Sequence, residues 1–123
     1  MLILASVTDA LQVVTGAAGT IDVHASWMDN VAGAVGLGRT NTPTITTATA
    51  TTVVAAPAAN VQRNLKTLHI RNRGAASNDI TVRHTDGTTT VELIKITVQP
   101  NITLQYIDEV GFQAVWTVPI PTA

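Results

Sequence analysis

Thr20-Ile21-Asp22-Val23-His24-Ala25-Ser26-Trp27 is the stretch whose reading decides the fold. Ile21, Val23, Ala25 and Trp27 fall on one side of an extended chain, and Thr20, Asp22, His24 and Ser26 on the other. A period of two is the mark of a strand with one buried face. Downstream, Leu68 and Ile70 alternate with Thr67, His69 and Arg71, Ile80 and Val82 repeat the pattern, and Ile102, Leu104 and Tyr106 do so again. Asp86-Gly87 is a strong hairpin-turn dipeptide. Residues 112–118 read as a last strand with Trp116 inside. No long segment shows a clean helical period with caps. A short helix over residues 5–14 is weakened by Val7, Thr8, Val13 and Val14.

Strands at this spacing predict one all-β domain, an antiparallel β-sandwich or small barrel with Greek-key or meander connections. In the strand over residues 88–98, Val91 and Leu93 share one face while Ile94, Ile96 and Val98 share the other. That change of parity predicts a bulge at Leu93/Ile94, or a strand buried on both faces. The predicted core is Ile21, Val23, Trp27, Leu68, Ile70, Ile80, Val82, Val91, Leu93, Leu104, Tyr106, Phe112 and Trp116.

Three segments read differently. Residues 1–19 are expected to form an N-terminal arm or edge strand. Their apolar start is short, lacks a basic lead-in and is soon followed by Asp9, so it resembles neither a signal peptide nor a membrane span. Residues 29–42, with Gly33, Gly36 and Gly38, are expected to form a long glycine-rich loop. Residues 44–56, bracketed by Pro43 and Pro57, are a Thr/Ala/Val run with strand propensity but few bulky groups. That composition suits a sheet edge or a surface that contacts another chain.

Composition narrows the function classes. Charged residues make up 12% of the 123-residue chain and the net charge is -1, so the basic face of a nucleic-acid binder is absent. Aromatics at 3% are too few for a base-stacking platform. Without cysteine there is no disulfide framework and no thiolate metal site. So little charge implies a surface of Thr, Ser, Asn, Ala and Gly, as found where partners cover a protein, because interface cores are depleted of charge.

The candidate chemistry is thin. His24, His69 and His84 match no zinc spacing, and Asp22 with His24 makes at most half a ligand set. Ser6, Ser26 and Ser77 lack a nucleophile-elbow context. The acidic residues are scattered and select no catalytic pair. The glycines of residues 33–38 lack the strand-then-helix setting of a phosphate cradle. Arg71 and Arg83 project outward and suit either a mild positive patch facing an acidic neighbour or scattered solvated charges. No catalytic, cofactor or metal residue is assigned, and the chain reads as a non-enzyme.

Val61-Gln62-Arg63-Asn64-Leu65-Lys66-Thr67-Leu68-His69-Ile70-Arg71-Asn72 resembles a segment of small proteins encoded among tailed-phage structural genes. So do Ile80-Thr81-Val82-Arg83-His84-Thr85-Asp86-Gly87-Thr88-Thr89 and Leu104-Gln105-Tyr106. Ile21 to Trp27 and Arg39-Thr40-Asn41-Thr42 fit the same pattern, so the resemblance spans roughly positions 20–116. It implies a β-rich bacteriophage virion protein of the head decoration or stabilising type. The major capsid protein or other virion subunits would be its partners, and it would form a homo-oligomer, a trimer by preference. A tail, neck or fibre component and a carbohydrate-binding β-sandwich are the alternatives. No cofactor, nucleic acid or membrane is expected. The expected partner surface is Gly36, Arg39, Thr40, Asn41, Thr44, Thr46, Thr49 and Thr51, within residues 29–56.

Overall fold

Alternating side chains need two apolar faces to close against each other, and that is the architecture formed. The computed structural model describes residues 1–115. Its strands are β1 (Leu2–Leu4), β2 (Ala10–Thr15), β3 (Ile21–Val31), β4 (Ala34–Ile45) and β5 (Ala50–Val54). They continue as β6 (Gln62–Asn72), β7 (Asn78–Thr85), β8 (Thr90–Val98), β9 (Thr103–Ile107) and β10 (Gly111–Val115). One sheet runs β10-β9-β6-β3-β4, with β1 also pairing β6, and the other runs β5-β2-β7-β8. Every pairing is antiparallel, and the two open sheets form a sandwich rather than a barrel. No helix is long and apolar enough to cross a membrane among the described residues.

Ile21, Val23, Ala25, Leu65, Leu68, Ile70 and Leu104 from the larger sheet meet Leu11, Val13, Val54, Ile80 and Val82 from the smaller one. Each of these is at most 4% exposed. Of the remaining predicted core, Tyr106 is buried, and Trp27 and Phe112 are half-buried against the cluster. Trp116 lies outside the described residues.

Val91 and Leu93 are corrections. They are 52% and 37% exposed. The register slips between Val82, opposite Ile94, and Arg83, opposite Glu92, so Leu93 is the extra residue of the predicted bulge. Beyond it Val91 pairs with His84 and regains the inward parity of Ile80 and Val82. It sits near the end of β8, the last strand of its sheet, where the core gives little cover.

Residues 29–42 are not a loop. They are the last three residues of β3 and most of β4, joined by a tight turn at Ala32 (φ 49°) and Gly33 (φ 87°). Two successive positive φ values match the turn type that continues a twisted hairpin. The Asn30 carboxamide oxygen accepts the Gly33 N–H (3.0 Å) and closes the turn. Residues 44–56 are not one strand but the end of β4, a turn, and β5, which belongs to the opposite sheet. In residues 1–19, β2 lies between β5 and β7, inside a sheet rather than at its edge. Nor is the second half of the chain a meander. β6 lies in the larger sheet, the β7–β8 hairpin in the smaller, and the β9–β10 hairpin back in the larger.

Three buried polar residues hold these crossings. Asp9 accepts the Ala5 N–H (2.7 Å), the Ser6 N–H (3.2 Å) and the Ser6 hydroxyl (2.9 Å), tying the β1–β2 connection. Asn72 donates to the Val98 and Ala76 carbonyls (2.9 Å each). Asn78 donates to the Ala17 carbonyl (2.9 Å) and accepts the Gly16 and Ala17 N–H groups. Buried polar atoms so fully partnered avoid the cost of desolvation without compensation.

Candidate functional site

Inward-facing apolar residues leave the alternate positions of β4, β3, β6, β9 and β10 on one outer face. The pairing lines them up in rows. Asn41, His24, His69, Gln105 and Gln113 lie directly opposite one another across all five strands. Arg39, Ser26, Thr67 and Ile107 form the next row on one side, and Asp22, Arg71 and Thr103 the next on the other. Between β4, β3 and β6 the face dips into a shallow concavity of about 380 Å³, bordered by Asp22, His24, Asn41, His69 and Arg71.

Within it, His24 Nδ1 lies 2.6 Å from Asn41 Oδ1, and because an amide oxygen can only accept, Nδ1 is the donor of that hydrogen bond. The His24 and His69 rings are 6.4 Å apart between centroids. Asp22 is fully occupied. It accepts Arg73 Nε (2.6 Å) and the Thr44 hydroxyl (2.7 Å), and these two hydrogen bonds hold its carboxyl below the ordinary 3.8. Arg71 donates to the Asn101 carbonyl (3.1 Å). The charged groups that line the concavity are therefore Arg71 and an Asp22 whose carboxylate is already engaged by Arg73 from outside the lining. No group of three or more His, Cys, Asp or Glu able to hold a metal occurs among the described residues.

The residues expected to meet a partner divide between two neighbouring edges. Gly36, Arg39, Thr40, Asn41 and Thr44 lie on β4, the edge of the larger sheet. Thr46 and Thr49 lie in the short turn that follows, and Thr51 on β5, the edge of the smaller sheet. Because that turn is short, both edges occupy one side of the sandwich. Thr40 and Thr51 are half-buried and the other six are exposed. Thr40 faces inward beside Ala25, whereas Arg39 and Asn41 share the outer face with Ser26 and His24. Thr49 is held by its main chain, which exchanges hydrogen bonds with Thr15.

The hairpin end beyond this edge is the feature the sequence reading missed. Leu37 is 85% exposed, Val35 60% and Val31 47%. Leu37 pairs with Met28 and Val35 with Asn30, so these apolar groups continue the outer face. The inner face of the hairpin is closed instead. Arg63 sits 4.5 Å over the Trp27 ring, donates to both Asp29 oxygens (2.9 and 3.1 Å), and donates to the Ala55 carbonyl (2.8 Å). Trp27 in turn covers Gly38, where any Cβ would collide with the indole. The signal for a hairpin was present, since Gly36 and Gly38 stand opposite Asp29 and Trp27, but glycines erase the alternation that marks a strand.

No family model, curated protein or solved structure matches this chain.

Proposed function

We infer that this protein is a non-enzymatic structural subunit that works by contact within a larger assembly. The observation that carries this reading is the β4 edge. β4 runs from Ala34 to Ile45, pairs only with β3 among the described residues, and ends in a hairpin with Val35 and Leu37 exposed. Proteins guard such edges with lysine, proline, bulges or short length. Here Pro43 and the irregular pairing near Ile21 blunt one end, and Arg39 is the single charge along the strand. No other strand among the described residues covers the rest, which leaves it available to another chain. Low overall charge and the adjoining Thr-rich β5 edge support the same reading.

The assembly we propose is a tailed-phage virion, with the chain as a decoration or stabilising protein on the major capsid lattice, in homo-oligomeric form. The resemblance of residues 20–116 to virion proteins supports this, together with the tolerance of strand addition for Thr and Ala side chains. Many weak copies on a lattice gain effective affinity without a large individual interface. Quantitative mass spectrometry of purified virions, made by the replicon that carries the gene, tests it. Hundreds of copies per particle are expected. A few to tens would move the protein to the tail, neck or fibre, and absence from the particle would overturn the proposal.

A further inference from the structure

We propose that the free edge of β4 is a strand-addition site for an acidic extended segment of a partner polypeptide. The partner's carboxylate would stand opposite Arg39, and apolar residues opposite Leu37 and Val35. This rests on the reading that the edge is covered in an assembly, and it specifies the chemistry of the cover.

The outer-face side chains of β4 run Val35, Leu37, Arg39, Asn41, two apolar positions and then two polar ones. Arg39 has no acidic partner among the described residues. The carboxylates nearest in the pairing scheme are already engaged, Asp22 by Arg73 and Asp29 by Arg63. Behind Asn41 lies the concavity, where the Asp22 carboxylate is already engaged by Arg73 and Arg71 borders the floor. A strand added here therefore meets the unpaired Arg39 charge towards one end and the exposed apolar side chains of Leu37 and Val35 at the other. Antiparallel addition, the more stable form, fixes the order in the partner. From its N-terminus the partner reads polar, then acidic two residues on, then apolar two and four residues after the acid. Directly opposed side chains on one face lie within contact distance, so an acid opposite Arg39 is attracted and a base is repelled. Pro43 has no N–H to offer, which confines the added ladder to residues 34–42.

The probes are two short capped peptides of threonine and valine, with threonine placed to face Asn41 and valine to face Leu37 and Val35, that differ in one residue. One has glutamate at the place facing Arg39, and the other lysine. Each is titrated into the isotope-labelled protein while amide shifts are followed by NMR at low salt. The glutamate peptide should bind about fivefold more tightly, with shifts concentrated in residues 34–42, and the margin should shrink as salt is added. In Arg39→Glu the order of the two peptides should reverse while the rest of the spectrum stays native. Equal affinities, shifts centred on β5, β8 or β10, or an unreversed order in Arg39→Glu would overturn the proposal. So would concentration-dependent self-association through β4 that excludes both peptides, since the occupant would then be a second copy. Copy number in the virion is independent of these results, so either proposal can fail alone.

Discussion

Arg63→Ala should be among the most damaging substitutions outside the apolar core. The Arg63 side chain is 14% exposed and its Asp29 partner 24%, so the ion pair is partly screened and its two hydrogen bonds contribute about 1–2 kcal/mol. The bond to the Ala55 carbonyl adds ~1 kcal/mol, and the contact over the Trp27 ring about 0.5–1 kcal/mol. The loss should total ~3 kcal/mol, equivalent to a melting temperature lower by roughly 10 °C for a chain of this size. Equilibrium urea unfolding followed by circular dichroism reads it directly. Arg63→Lys should recover less than half, because an ammonium cannot bridge both Asp29 oxygens and the carbonyl together. A double-mutant cycle with Asp29→Asn should give a coupling of about 1–2 kcal/mol. A cost below ~1 kcal/mol for Arg63→Ala, or additive single mutants, would show that the hairpin root is held by something else.

Gly38→Ala should destabilise by about 1–3 kcal/mol, because the new methyl collides with the Trp27 indole. Gly36→Ala, two residues away with nothing within 4 Å of its Cβ position, should change the same unfolding midpoint by less than ~0.5 kcal/mol. Acid should unfold the protein cooperatively. Burial pushes the Asp9 carboxyl up, but the Ala5 and Ser6 hydrogen bonds outweigh it. Arg73 lowers Asp22 and Lys66 lowers Asp108. All three folded values lie below 3.8, so their stabilisation is present above that pH and is lost as pH falls through the folded values. Thermal melts from pH 6 to pH 2 should show that loss, and Asp9→Asn should make the dependence shallower. Prolonged chelation should leave the melting temperature unchanged, since both Asp22 oxygens are engaged by Arg73 and Thr44. A clear drop would make Asp22 and His24 part of a ligand set.

The sequence revealed the parts of the fold that repeat and hid those that depend on distant partners. Ile21, Val23 and Ala25 declare a buried face because the signal lies within one strand. The bulge at Leu93 was legible for the same reason, as a local change of parity. Parity alone does not say where the opposite sheet ends, which is why Val91 was placed in the core. Asp9, Asn72 and Asn78 look like ordinary loop residues, and their roles arise from crossings between two sheets. Arg63 looks like one more solvated cation, because Asp29, Trp27 and Ala55 approach it only after folding. The Thr-rich run was read as one strand, and its elements were misdrawn. Glycines concealed β4, while the run itself divides between two sheet edges.

Amide hydrogen exchange on β4, in the dilute isolated protein and again in the assembled particle, tests the central claim most directly. If a partner strand covers this edge, the β4 amides that point away from β3 should exchange rapidly in the isolated protein and become strongly protected on assembly. Strong protection of those amides in the dilute protein, with no gain in the particle, would contradict it.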